Sequence, residues 1–174
     1  MSGSSPHAPP PQEVWVIDTS SIILVFRDRP KPEQDKAAAL LTKLAHAGQL
    51  VFPPQVIEEL KRYAPAKKLG PHPPLQWALS VESVASSAPD WNTVKNDVLT
   101  KVSDVVDHEK PSPVDDADPY VLGRALELHR AGRIVRVITE ETRKRPDKLA
   151  LSTAAGVLGL AAVTLPAFLK TQGL

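Results

Sequence analysis

Val14-Trp15-Val16-Ile17-Asp18 sets four apolar residues in a row and closes them with an acid. An unbroken apolar run of this length, without polar alternation, reads as a central strand covered on both faces, the kind found in parallel sheets. Ile134 to Ile138 (IVRVI) is a second such run, rich in β-branched residues. Leu50–Phe52 and Ala161–Thr164 are shorter ones. Helical patterns fill the spaces between them. Ser20 or Ser21 is the expected N-cap of a helix through Ile23, Leu24 and Phe26, stopped by Pro30. Lys36 to Ala47 places Ala37, Leu40, Leu41 and Leu44 at spacings of three and four and is closed by Gly48. Pro53 and Pro54 suit the first turn of a helix over Gln55 to Tyr63. Further helical stretches are expected near Leu75–Ser87 and Trp91–Asp107. Asp118-Pro119 reads as cap and first position of a helix ending at Gly132. A small-residue helix from about Lys148 and a terminal helix opened by Pro166 complete the chain. Strands alternating with helices predict an α/β fold, a three-layer α/β/α sandwich around a central, mainly parallel sheet.

Composition narrows the class. The 174 residues suit one domain, and 42% hydrophobic with 24% charged residues is ordinary for a globular chain. A formal net charge of +1 creates no global field for nucleic acid, so any such partner must be met by local patches. The absence of cysteine excludes disulfides and thiolate metal sites, and fits a cytoplasmic location. Residues 1–12 (MSGSSPHAPPPQ) offer too little apolar surface to offset the entropy of ordering and are expected to be a flexible tail, leaving 13–174 as the folded domain. Leu149 to Leu169 carries no charge, but its alanines, glycines and Pro166 favour a helix followed by a buried strand over a membrane span.

Ligand sites in parallel α/β sheets form beyond the carboxyl ends of the strands, which is where the acids fall. Asp18 ends the first strand, and Glu141 follows the Ile134–Ile138 strand in Thr139-Glu140-Glu141. Asp118 opens a helix, and Glu59 lies in the helix after the second strand. Helical phase selects Glu59 over Glu58: with Val56, Ile57, Leu60 and Tyr63 facing inward, Glu59 lies roughly 90° from the centre of that face and Glu58 nearly opposite. For Glu140 against Glu141 a loop gives no such period. Four carboxylates at one edge repel one another unless cations bind, and an all-oxygen donor set suits Mg²⁺ or Mn²⁺. Such a centre fits metal-assisted phosphodiester hydrolysis. Thr19, Ser20 and Thr139 are placed to orient the acids. Singly, each acid is better explained as a cap or helix-dipole partner; their joint placement carries the functional reading.

The motifs V-I-D-T-S-S (Val16–Ser21), V-I-E-E-L-K-R (Val56–Arg62), A-D-P-Y-V (Ala117–Val121) and V-I-T-E-E (Val137–Glu141), with the ending G-L-A-A-V-T-L-P-A-F-L (Gly159–Leu169), resemble the successive motifs of PIN-domain ribonucleases. The similarity covers Val14 to Leu169 and extends to bacterial PIN proteins of the VapC toxin kind. It implies a metal-dependent endoribonuclease that uses Mg²⁺ or Mn²⁺, with Asp18, Glu59, Asp118 and Glu141 at the catalytic, metal-binding positions. It also implies RNA as substrate, a homodimer, and a cognate antitoxin partner. The chain departs from that pattern in carrying Glu141 where many members carry aspartate, and in the longer middle from Leu75 to Asp107.

Basic clusters follow three of these motifs: Arg27, Arg29 and Lys31; Lys61, Arg62, Lys67 and Lys68; and Arg143, Lys144, Arg145 and Lys148. The last is the favoured RNA contact, holding phosphates beside the scissile one. Trp15, Trp77 and Trp91 are expected in the core or an interface, the aromatics being too few for a base-stacking platform. His46, His72, His108 and His129 show no ligand spacing and are expected at the surface. Two rival classes remain. A metal-dependent binding module with D-x-S-x-S fits Asp18 and Ser20 but meets Ile22 where the second serine belongs, and a catalytically inactive PIN fold would act in protein assembly. A phosphatase needing D-x-D is excluded by Ser20.

Overall fold

β1 (Glu13–Ile17) lies between β2 (Leu50–Val51) and β3 (Ile134–Ile138), and β4 (Ala161–Val163) pairs with the far side of β3. Every pairing is parallel, with Val16 opposite Val51 and Val137. The computed structural model describes residues 12–63, 72–107, 116–143 and 146–174. Val14, Trp15, Val16 and Ile17 are all buried, as their apolar run requires.

Among the described residues seven α-helices cover the sheet: α1 (Thr19–Val25), α2 (Lys31–His46), α3 (Pro54–Tyr63), α4 (Pro73–Ala85), α5 (Asp118–Arg130), α6 (Leu151–Val157) and α7 (Leu165–Thr171). Among their contacts, α1 touches α2, α3, α4 and α7, while α5 packs on β1, β3 and α6. The result is the α/β/α sandwich expected from the alternation of strands and helices. Its core runs continuously from Trp15, edge-on to the Phe168 ring at 4.7 Å, through Phe52 and Trp77 to Leu122 and Leu151.

Local boundaries differ in instructive ways. α1 is capped by Asp18 rather than by Ser20 or Ser21: one carboxylate oxygen accepts from Thr19 N–H at 2.6 Å. α2 begins at Lys31, well before Lys36, because Pro30 and Pro32 preset the backbone of a polar first turn that hydrophobic spacing cannot reveal. The stretch Trp91–Asp107 is not one helix. It forms a π-helical turn at Thr93–Val98 and a 3₁₀ turn at Ser103–Val105. Val94, Val98 and Val102 are buried at steps of four, and in a regular α-helix each such step drifts about 40° off the stripe. Widening the turn, with Leu99 N–H donating to Val94 O at 2.9 Å, offsets that drift. Gly123 of α5 admits this turn, since a Cβ there would stand 2.9 Å from Val94 Cγ2.

Residues 1–11 of the expected tail lie outside the described residues. Among the described residues no helix is long and apolar enough to cross a membrane. The uncharged run Leu149–Leu169 divides into α6, β4 and most of α7.

Candidate functional site

The register Ile17 opposite Ile138 brings the carboxyl ends of β1 and β3 side by side. Asp18 N–H donates to Ile138 O at 3.0 Å, and Thr139 N–H to Val163 O at 3.0 Å. The next side chains therefore meet: Thr139 Oγ1 donates to Asp18 Oδ2 at 3.1 Å, and Ser20 Oγ donates to the same oxygen at 2.6 Å. β2 and β3 flank β1 on opposite sides, so a crevice opens where the chain changes direction across the sheet.

α3 and α5 supply the other wall. Glu58 is exposed and paired with Lys61, whereas Glu59 turns inward, as helical phase predicts. Glu59 Oε2 accepts from Thr19 Oγ1 at 2.5 Å and Oε1 from Ala117 N–H at 3.2 Å, tying α3 to α1 and to the start of α5. Asp118 stands in the first turn of α5 but does not cap it. Ahead of the helix lies Asp116, a fully buried acid with no place in the sequence reading. Its Oδ1 accepts from Asp118 N–H at 3.2 Å and its Oδ2 from Asp107 N–H at 2.8 Å. The signal is the run Val114-Asp115-Asp116-Ala117-Asp118, which sets a second acid two residues ahead of the helix start.

The two consecutive glutamates divide their labour. Glu140 Oε1 accepts from Leu165 N–H at 2.6 Å, closing the start of α7, while Glu140 N–H donates to Ser20 Oγ at 3.1 Å. Glu141, whose N–H donates to Thr139 Oγ1 at 3.0 Å, faces the acids. Asp18, Glu59, Asp118 and Glu141 thus line one cleft of about 410 Å³. Ile23, Tyr63 and Arg62 form its outer lip. A larger hollow of about 540 Å³, bordered by Arg29, Glu33 and Lys36, contains none of the four, so size alone does not single out the cleft.

Crowding shows in the protonation equilibria. Burial raises the Asp18 carboxyl to about 6, opposed by the Ser20 hydrogen bond and reinforced by the charges of Glu141 and Glu59. Asp118 is raised well above the usual carboxylate range, first by burial and then by Asp18, Glu141 and Asp116.

Lys148 overturns its expected placement as a surface contact for RNA. It is 5% exposed, with Nζ 2.5 Å from Asp118 Oδ2 and 3.0 Å from Glu141 Oε2. Burial alone would lower its pKa; the charges of Asp118 and Glu141 outweigh that and hold it above the ordinary lysine value. The segment around it is pinned by Leu149 N–H to Asp104 O at 2.6 Å and Ser152 N–H to Glu141 O at 3.2 Å. Among the described residues no group of three or more acidic or histidine side chains is arranged to hold a metal ion; the point Asp118 and Glu141 share is taken by an ammonium.

Arg143 is exposed near this edge, and Lys144 and Arg145 lie outside the described residues, as do Lys67, Lys68 and His108. His46 and His129 are exposed as expected, but His72 is buried, its Nε2 2.7 Å from Leu60 O and its ring edge-on to Tyr63. Trp15 and Trp77 are core residues, whereas Trp91 is half-exposed against Tyr120. No protein-family model, no curated protein and no solved structure matches this chain.

Proposed function

We propose that the chain is a metal-dependent endoribonuclease of the PIN type, acting as the toxin of a toxin–antitoxin pair in the cytoplasm. The observation that carries this reading is the meeting of four carboxylates, from four separate segments, in one cleft at the carboxyl edge of the sheet. Their chemistry fits a hard divalent ion such as Mg²⁺ or Mn²⁺. All donors are oxygens, and the raised Asp18 and Asp118 equilibria mark a cluster that a cation would relieve. Asp18, Glu59, Asp118 and Glu141 would hold it. When bound, a divalent ion supplies activation of water and neutralisation of charge on the phosphoryl oxygens.

The chain's own residues prepare the reaction. Ser20 and Thr139 fix the Asp18 carboxylate, and Thr19 fixes Glu59, so neither acid must be ordered when RNA arrives. Ile23 and Tyr63 give the lip an apolar wall against which a base or ribose of the strand can lie. Arg62 on the lip and Arg143 beyond the cleft hold flanking phosphates. Homodimerisation and an antitoxin partner belong to the same proposal.

One observation favours a second reading, an inactive fold used in assembly: Lys148 already neutralises part of the cluster. RNA cleavage separates the two. The purified protein should cut single-stranded RNA with Mg²⁺ or Mn²⁺ and not with EDTA, and Asp18→Asn should abolish cutting while the circular dichroism spectrum is retained. A parent that never cuts, or an Asp18→Asn variant that cuts equally well, removes the nuclease reading.

A further inference from the structure

We infer that Lys148 is a resident second cation of the acidic centre, so that the cleft takes one divalent ion where four carboxylates alone would take two. The inference rests on the metal-dependent reading above and specifies the charge balance of that site. Four carboxylates carry −4, and a single divalent ion would leave −2. The ammonium of Lys148 is the charge that reduces this remainder. It lies between Asp118 Oδ2 and Glu141 Oε2 at 2.5 and 3.0 Å, a position from which a second ion would have to expel it.

Two features separate this lysine from a surface side chain resting in a cleft. Its side chain is 4% exposed, and the chain directly after it is fastened, by Leu149 N–H to Asp104 O and by Ser152 N–H to Glu141 O. Expelling Nζ would therefore cost more than turning a solvated side chain away. The acids also divide spatially. Asp118 and Glu141 are committed to Lys148, whereas Asp18 is held by Thr19 N–H and the Ser20 hydroxyl, and Glu59 by the Thr19 hydroxyl and Ala117 N–H. A divalent ion would be met on the side of the cleft that Asp18 and Glu59 line. Lys148 acts there as a positioning residue: it keeps Asp118 and Glu141 turned toward the centre and fixes the number of ions.

Calorimetric titration of the full chain with Mn²⁺, without RNA, tests this. The parent should bind one equivalent and Lys148→Met two, with the manganese-induced rise in melting temperature larger in the variant. Two equivalents in the parent, or one in both proteins with unchanged affinity, overturns the inference and leaves the nuclease reading intact. No binding to the parent overturns both. Should Lys148→Met fail to fold, the parent is decisive on its own. One equivalent of Mg²⁺ that leaves the ¹⁵N resonance of the Lys148 ammonium protected from solvent exchange supports the inference, and exposure of that ammonium on Mg²⁺ binding overturns it.

Discussion

Lys148 and Asp118 form an ion pair at 2.5 Å in which both side chains are 4% exposed. Removing one partner of a buried pair strands the other charge, a loss of about 3–5 kcal/mol in typical proteins. Lys148→Met should therefore lower stability by an amount of that order at pH 7, and adding Asp118→Asn should restore most of it. Urea unfolding of the two single variants and the double variant provides the coupling energy; a double variant no more stable than Lys148→Met would show that the pair is not coupled.

Asp18 gives a pH dependence of defined sign. Its folded-state carboxyl sits near 6, above the ordinary value, so the folded chain holds a proton that the unfolded chain releases. Below the ordinary carboxyl value both states are protonated and no penalty exists. As pH rises from about 4 to about 6 the penalty grows, and above that it stays constant, at about 3 kcal/mol from the usual conversion of a two-unit shift. Asp18→Asn removes it, and the amide can keep the contacts: its oxygen accepts from Thr19 N–H, and its nitrogen can donate to the Ser20 and Thr139 hydroxyls, which accept as well as donate. In metal-free buffer the variant should gain melting temperature relative to the parent between pH 4 and pH 7. A difference that shrinks over that interval contradicts the assignment.

Glu140 and Glu141 should fail in different assays. Glu140→Ala deprives Leu165 N–H of its acceptor and should cost about 1 kcal/mol of stability, in the range for lost helix caps, with RNA cleavage retained. Glu141→Gln should abolish cleavage with little change in stability. Reversal of these phenotypes would exchange the two roles.

Tyr63 is 47% exposed on the lip, with its ring held edge-on by buried His72. If it carries a base of the substrate, Tyr63→Ala should weaken RNA binding by about 1–3 kcal/mol and Tyr63→Phe should not. Fluorescence anisotropy with the cleavage-deficient Asp18→Asn chain reads this directly; equal affinities in the alanine and parent forms would leave the lip without a stacking role.

Gly123→Ala tests the packing of the π-helical turn. Alanine is favoured over glycine in a helix by about 1 kcal/mol, but its Cβ would meet Val94 Cγ2 at 2.9 Å and Pro89 Cβ at 3.3 Å. Overpacking of this kind typically costs about 1–3 kcal/mol. A lower melting temperature is the expected result, and a higher one would mean that the turn yields.

The sheet was readable because burial on both faces leaves an unbroken apolar run, and the acids were readable because strand ends and helical phase are local properties. Glu59 could be chosen over Glu58 for that reason. Only the resemblance separates Glu141 from Glu140 in the sequence, since their directions depend on where α7 begins. Lys148 was misplaced for a related reason: in a run with Arg143, Lys144 and Arg145 it looks like any solvated lysine, and only the fold reveals that it points inward. Asp116 was missed because its acceptors serve backbone groups nine and two residues away. The steps of four valines announced a buried stripe, but not that the helix would widen to keep it.

The doubling of glutamate after β3 gives this edge a built-in spare. Insertion of a single residue between Ile138 and Thr139 would advance Glu140 into the place Glu141 now occupies, so the cleft would still receive a carboxylate of the same length. The cost would fall elsewhere: α7 would lose its acceptor for Leu165, and Asp18 its Thr139 hydroxyl. At this position, then, a frame error in the chain would be felt first as loosening of the last helix rather than as loss of charge at the centre.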